Sequence, residues 1–450
     1  MTRFVTVNRN TDYLLPPSVD DWLPQTHLAR FVVEVVEQLD LSSVVKVYAG
    51  RGSDAHHPSV LLGLLIYGYA TGVYSSRKIE RATYDSVAFR FIAGNTHVDH
   101  DTLATFRRRF LAEIEKLFVQ VLLMAREAGV LKVGAICLDG TKVKANASRH
   151  SALSYAHLLE LQAKVAAEVK ALMARAEAAD AQATADGMDV PAELARREAL
   201  QKRMAAARAK IEALEAQRHA AEQAEFEAKR AAHEQRKAEG KGGGRAPAPP
   251  QATINPKAQI NLTDEESRIM PRAGGGFDQC YNAQLSVQTE SRLILTTGLT
   301  QSTVDKQQVA PTLDTLAALP KPLQGTHTLV TDNGFMSEAN VDACAKSGIM
   351  PLFALGREGH HISLEERFAP EWCGPPPEQP LAAMKHRLQT VAGKALYALR
   401  KSTVEPVIGI IKSVMGFRQF SLRGLAKVKG EWNLVCLAYN MRRWHRMQVI

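Results

Sequence analysis

Residues 401–423, KSTVEPVIGIIKSVMGFRQFSLR, set one acid against a train of bases. Glu405 stands just before Pro406, at the head of an apolar run of Val407, Ile408, Ile410, Ile411 and Val414; Lys412, Arg418 and Arg423 follow. Val404, Val407, Ile408, Ile411 and Val414 or Met415 recur at helical spacing, which predicts a helix with a buried stripe. Glu405 and Lys412 fall off that stripe, and Pro406 lies near a first turn or makes a kink. Two other segments supply partners. Residues 136–142, ICLDGTK, and 329–335, LVTDNGF, each run from apolar, strand-like residues into an Asp and a Gly-containing turn. This pattern predicts Asp139 and Asp332 at the C-terminal edges of strands. Two strand-end aspartates and a helical glutamate form a set of hard oxygen donors, which suits Mg²⁺ or Mn²⁺ rather than zinc. Carboxylates meeting at a sheet edge can hold two such ions, one activating a water or 3′-hydroxyl and one stabilising the leaving oxygen of an in-line phosphoryl displacement. Lys142, Lys401 and Lys412 are the candidates for holding phosphates near the metals, with Arg418 extending the basic train. Taken singly, each acid has a plainer reading, a turn residue for the aspartates and a dipole-stabilised acid for Glu405. The strand, strand, helix order of all three is far more specific.

A chain of 450 residues implies two or three domains. The net charge of +9 is modest for this length and points to nucleic acid only where it clusters. Cys137, Cys280, Cys344, Cys373 and Cys436 show no C-x-x-C spacing, and their odd number argues for reduced, buried thiols rather than a disulfide framework. The start, MTRFVTVNRN, has no apolar core of a signal peptide, and the most apolar run, 61–70, is shorter than the roughly 20 residues a spanning helix needs. The expectation is a cytoplasmic protein with no membrane partner.

Residues 1–130 read as an all-α domain of short helices. Leu28, Phe31, Val32, Val35, Val36 and Leu39 share one face, Pro58 opens a second helix, and Asp101 is a plausible cap for one long helix over 103–130. Arg77, Lys78, Arg81, Arg107, Arg108 and Arg109 read as exposed cations suited to DNA phosphates, with Arg77 and Arg108 the leading candidates. Residues 131–150 carry the first strand and the first Asp. Residues 151–250 turn rich in Ala, Glu, Lys and Arg; Leu158, Leu161, Val165, Val169 and Leu172 form one seam, and Leu200, Met204, Ala207, Ile211 and Leu214 another. This predicts a helical hairpin or coiled-coil arm turning at 186–191 and ending in a Gly/Pro linker, either a spacer or a dimerising or DNA-clamping device. Residues 251–450 return to strands: 281–288 and 292–299 as a hairpin, a helix over 304–319, a strand over 327–331, a helix over 337–347 and a strand over 349–354. With 133–138 these make a mixed α/β sheet with flanking helices, and the arm interrupts it. His97, Asp99, His100 and Asp101 resemble metal ligands, but capping and packing is the better reading; His360 and His361 lie in a Gly-flanked loop.

LDGTKVKANAS, LVTDNGF and STVEPVIGIIKSVMGFRQFSLRGL resemble the three catalytic segments of DDE transposases of bacterial insertion sequences, of the IS-eleven-eighty-two-type branch. Residues 57–110 resemble the InsH-like N-terminal domain that precedes them, and the resemblance covers nearly the whole chain, including the helical insertion and INLTDEESRIMPRAGGGFDQCYNAQLSV. It implies a ribonuclease-H-like core with Asp139, Asp332 and Glu405 as the triad for two Mg²⁺ or Mn²⁺ ions. It also implies cut-and-paste movement of the protein's own element: binding of its double-stranded ends, cleavage, and joining of 3′-hydroxyl ends to target DNA. A homodimer or larger synaptic complex, associated with the bacterial nucleoid, follows from that activity. The family's Tyr-x2-Arg-x3-Glu-x6-Lys signature is met at Glu405 and Lys412, whereas its Arg and Tyr positions hold Lys401 and Ala398, with Arg400 and Tyr397 one residue out of register. The alternatives are a nuclease of the same fold without strand transfer and a domesticated DNA-binding scaffold with an inactive core.

Overall fold

The structure is a computed structural model that describes residues 18–48, 55–182, 189–239, 246–251, 253–272, 274–356 and 377–449. The N-terminal stretch MTRFVTVNRN, the first half of the turn over 186–191, the glycines of 240–245, Cys373 and the His360-His361 loop lie outside the described residues. Two compact units are present, one made of Met1–Val143 with Asn282–Ile450 and the other of Lys144–Tyr281.

The first unit opens with helices α1 (Val19–Trp22), α2 (Leu28–Glu37), α3 (Ser42–Val45), α4 (Pro58–Thr71), α5 (Ser76–Asp85), α6 (Val87–Ile92), α7 (His100–Arg109) and α8 (Leu111–Glu127). Pro58 takes the first position of α4, where a missing N–H costs nothing, and Gly72 ends the helix at φ 85°. Residues 61–70 are buried on every face, so this apolar run is core. No single described helix is long and apolar enough to cross a membrane. The long helix expected over 103–130 is two. The chain leaves helical geometry at Phe110, whose buried ring packs near Phe106 and Tyr48. The cap is Asp99 rather than Asp101, because the helix begins earlier: the Asp99 carboxylate accepts the N–H groups of Asp101 and Thr102.

Strand β1 (Ala135–Lys144) leads into the second unit, which holds β2 (Ala152–Ser154), α9 (Tyr155–Gln182), α10 (Val190–Ala238), β3 (Gln259–Asn261) and β4 (Arg268–Pro271). The antiparallel pair β2–β3 packs with the base of the two helices around Leu153, Leu158, Ala207, Ile211 and Ile260. Leu214 is already exposed, so the predicted seam is buried only near that base. Beyond it α10, 49 residues long, is carried by good helix formers and by ion pairs one turn apart such as Arg208–Glu212 and Glu225–Lys229.

β5 (Phe277–Gln288) pairs antiparallel with β4 through its first residues and with β6 (Ile294–Thr300) from Asn282 on. In the first unit β1, β7 (Thr328–Thr331) and β8 (Met350–Phe353) run parallel, and β1 lies between β5 and β7. The result is a mixed sheet, antiparallel on one side of β1 and parallel on the other. Helices α11 (Val309–Ala318), α12 (Glu338–Lys346), α13 (Pro380–Gln389), α14 (Val391–Gly409) and α15 (Leu425–Val449) complete the unit. Cys137, Cys280, Cys344 and Cys436 are buried.

α15 packs against α4, α8 and β6, and most of it is buried. Its buried Glu431, Asn433 and Asn440 side chains each have a fixed partner. Asn440 brackets the N–H and C=O of Ile294 at 2.8 Å each, Asn433 accepts from Thr297 at 2.6 Å, and the Trp432 indole donates to the Gln284 carbonyl at 3.2 Å. Glu431, with no exposed surface, accepts from Tyr69 Oη at 3.1 Å and from the N–H groups of Ser421 and Leu422. Arg107, read from sequence as an exposed phosphate ligand, is instead buried and donates to Tyr69 Oη and the Tyr74 carbonyl. Removing the Glu431 carboxylate strands several buried donors and the Arg107 charge behind them. Glu431→Leu is therefore expected to destabilise the protein by about 3–5 kcal/mol, read as a lowered urea midpoint.

Candidate active site

β1 and β7 are in parallel register from Ala135↔Thr328 to Cys137↔Val330. Asp139 and Asp332 each lie two residues past Cys137↔Val330, so the register that aligns the strands also brings these positions side by side. Asp332 ends its strand as expected: it caps a 3₁₀ turn over Asn333–Phe335, its Oδ1 accepting from Gly334 N at 2.8 Å. Asp139 does not end its strand. β1 continues through Gly140 to Lys144, because Gly140 serves a close approach rather than a turn: a Cβ there would overlap Gln284 Nε2 and Asp305 Oδ1. Asp139 Oδ1 accepts from the Gly140 N–H at 2.8 Å.

Glu405 lies on α14, whose interior contains Pro406. Proline has no N–H for the preceding turn and crowds its carbonyl. The helix then widens into a π turn over Ile410–Val414, closed by Met415 N to Ile410 O at 2.8 Å. That turn puts Met415 in the core and leaves Val414 59% exposed, while Val404, Val407 and Ile411 keep the predicted buried stripe. It also presents Lys412, whose Nζ donates to the Lys142 carbonyl at 2.9 Å and so ties the helix end to β1. The Met415 carbonyl is held by Tyr74 Oη.

Between the acids stands Arg400. Its guanidinium lies 3.0 Å from Glu405 Oε1 and 3.7 Å from Asp139 Oδ2. Burial pushes the Asp139 carboxyl up to about 6, and the charges of Asp332 and Asp305 push the same way against the Gly140 N–H and Arg400. Sequence reasoning placed Lys401 in the arginine's role, but Lys401 is exposed and Arg400 holds the acids. It also missed Asp305, which receives Lys142 Nζ at 3.3 Å, Asn282 Nδ2 at 2.6 Å and Gln284 Nε2 at 2.7 Å. Nothing in STVDKQQ distinguishes that Asp from an ordinary helix-start acid. Arg418 is exposed and its Nε donates to the Lys412 carbonyl; Arg77 and Arg108 are exposed on α5 and α7, away from the elements that carry the acids.

The His97–Asp101 constellation packs and caps. Asp99 caps α7, His97 stacks on Tyr84 with ring centroids 3.7 Å apart, and His100 Nδ1 lies 2.7 Å from Glu80 Oε2. Glu80, Asp99 and His100 nevertheless bring three donor atoms within 4.8 Å of one another.

Residues 17–109 match the family model described as Transposase domain (DUF772), and residues 366–445 match the one described as Transposase DDE domain. The two matches support a DDE transposase of insertion-sequence type. No curated protein and no solved structure matches it. The second match contains Arg400, Glu405 and Lys412, whereas Asp139 and Asp332 lie outside both matched stretches.

DDE transposases are generally dependent on divalent metal. Asp139, Asp332 and Glu405 offer only carboxylate oxygens, and burial, with the charges of Asp332 and Asp305 added, already raises Asp139. The same burial and charge set a stability prediction. The folded protein holds the Asp139 proton more tightly than the unfolded chain, so the stability tied to this group falls as pH rises from 3.8 to about 6. In chelator at pH 7, Asp139→Asn is expected to stabilise the protein by about 1–3 kcal/mol and to flatten that stretch of the pH profile, measured by urea unfolding from pH 4 to 7.

Proposed function

We propose that this transposase moves its own insertion sequence by cut and paste: it binds the element's double-stranded ends, hydrolyses a strand at each end and joins the 3′-hydroxyls to target DNA. The observation that carries the reading is that the β1–β7 register sets Asp139 beside Asp332 while Arg400 links Asp139 to Glu405 on α14. An antiparallel hairpin followed by parallel strands, with the acids at adjacent strand positions, supports a ribonuclease-H-like catalytic core, formed by 131–150 and 251–450 around the helical insertion of 151–250.

Asp139, Asp332 and Glu405 are the residues that would hold Mg²⁺ or Mn²⁺. When bound, two such ions activate the attacking oxygen and stabilise the leaving one. The chain's own part is positional. The β1–β7 register fixes two carboxylates, the π turn and the Lys412 tether fix the helix that carries the third, and Lys401 on that helix and Arg418 in the loop after it stand exposed for phosphates. Lys142 takes a place beside the site through Asp305.

DNA binding is assigned to the helices of residues 1–130. Arg77 lies on α5, and a cleft lined by Arg108, Arg109, Lys427 and Lys429 beside the single acid Glu115 offers a basic track for a phosphate backbone. Both element ends must be held at once, so a homodimer or larger synaptic assembly acting at the nucleoid belongs to this reading. The test is an assay with Mg²⁺ on a plasmid carrying the coding region's flanking DNA. Wild type is expected to cut at the element ends and give joined products. Asp332→Ala should lose at least about 1,000-fold in cleavage while binding end DNA within about two-fold of wild type. Cleavage that survives Asp332→Ala contradicts the assignment, and binding without cleavage in either protein favours a scaffold.

A further inference from the structure

We propose that Arg400 is a built-in counter-ion that competes with the divalent cation for Asp139 and Glu405. The proposal rests on the metal-site reading above and adds to it a residue whose effect on metal affinity runs opposite to that of a ligand.

The carboxylates of Asp139 and Glu405 come from different elements and carry the same charge, so holding them together without a cation is unfavourable. The Arg400 guanidinium, 3.0 Å from one and 3.7 Å from the other, is the charge that relieves them. It cannot step aside by losing its proton, because an arginine side chain remains charged at any working pH. A cation that takes both carboxylates must therefore move the guanidinium or bind beside a positive charge, and either lowers its affinity. Two features mark this arginine as a displaceable partner rather than a fixed strut. Its Nε is buried with no hydrogen-bond partner, so the fork is not fully satisfied where it sits. Its partner Glu405 is 48% exposed at the side chain, against 16% for Arg400, so the pair can part on the Glu405 side without opening the core. Lys401, which occupies the arginine position of the family signature, is exposed and does not bridge the acids. The bridge belongs to the residue one place earlier.

The test measures Mn²⁺ affinity without DNA, by electron paramagnetic resonance titration of free Mn²⁺, on the full chain. Arg400→Gln should bind Mn²⁺ about five-fold or more tightly than wild type, at the lower end of the coupling expected between competing ligands. In chelator the same variant should melt at a lower temperature, and the stabilisation gained on adding Mn²⁺ should be larger than in wild type. Arg400→Lys keeps the charge without the fork and should fall between the two. Asp332→Asn is the control for the site itself. If Asp332→Asn weakens Mn²⁺ binding but Arg400→Gln leaves it unchanged or weaker, the metal site stands and the competition is wrong. If wild type and Arg400→Gln bind no Mn²⁺ at all, the metal-site reading fails and this proposal goes with it.

Discussion

The cost of bringing like charges together organises this protein. Asp139, Asp332 and Asp305 lie close together at one edge of the sheet, with Glu405 tied to them through Arg400, and the rise of Asp139 toward neutral pH records burial first and then their repulsion. Such a cluster persists only where the backbone leaves the side chains no retreat. The parallel register of β1 on β7 fixes two of the acids, and the absence of a side chain at Gly140 lets Gln284 and Asp305 close against β1. Pro406, the π turn behind it and the Lys412 bond to β1 set the helix that brings Glu405. Arg400 then supplies the positive charge that the frame alone lacks.

That frame is rigid because a second buried charge is fully matched. Glu431 on α15 gathers Tyr69 from α4 and the backbone beyond the π turn, with Arg107 of α7 behind Tyr69. Through α15 the N-terminal helices and the sheet share one core, and the segment that follows Glu405 is anchored to both. A buried carboxylate is tolerated here for the reason the exposed-edge cluster is not: each oxygen meets a donor and none meets another acid.

Much of this was legible in the sequence. The strands over 281–299, the Asp332 turn and the buried stripe of the Glu405 helix follow from local pattern, and the structure has them. The failures share a cause, which is that tertiary partners decide what a residue does. Asp-Gly reads as a turn until Gln284 and Asp305 are known to crowd Gly140. Arg400 reads as out of register because the signature puts its arginine four residues before the glutamate, whereas here the contact is made from five residues before it, which only the tertiary position of Asp139 reveals. Arg107 reads as a surface base until Tyr69 and the Tyr74 carbonyl claim it. α15 has no amphipathic signal at all, since it is buried on nearly every side with Asn433, Asn440 and Glu431 each matched from outside the helix. Asp305 is the plainest case: its neighbours on β1 and β5 are remote in sequence, and nothing local points to them.

The central claim is that three elements distant in sequence form one cation site. Replacing Mg²⁺ with Fe²⁺ and adding ascorbate and peroxide generates radicals that cut the backbone beside the bound ion. The account predicts cuts clustered near residues 139, 332 and 405 together, all suppressed by excess Mg²⁺. Cuts confined to one of these segments, or centred on Glu80, Asp99 and His100, would contradict it.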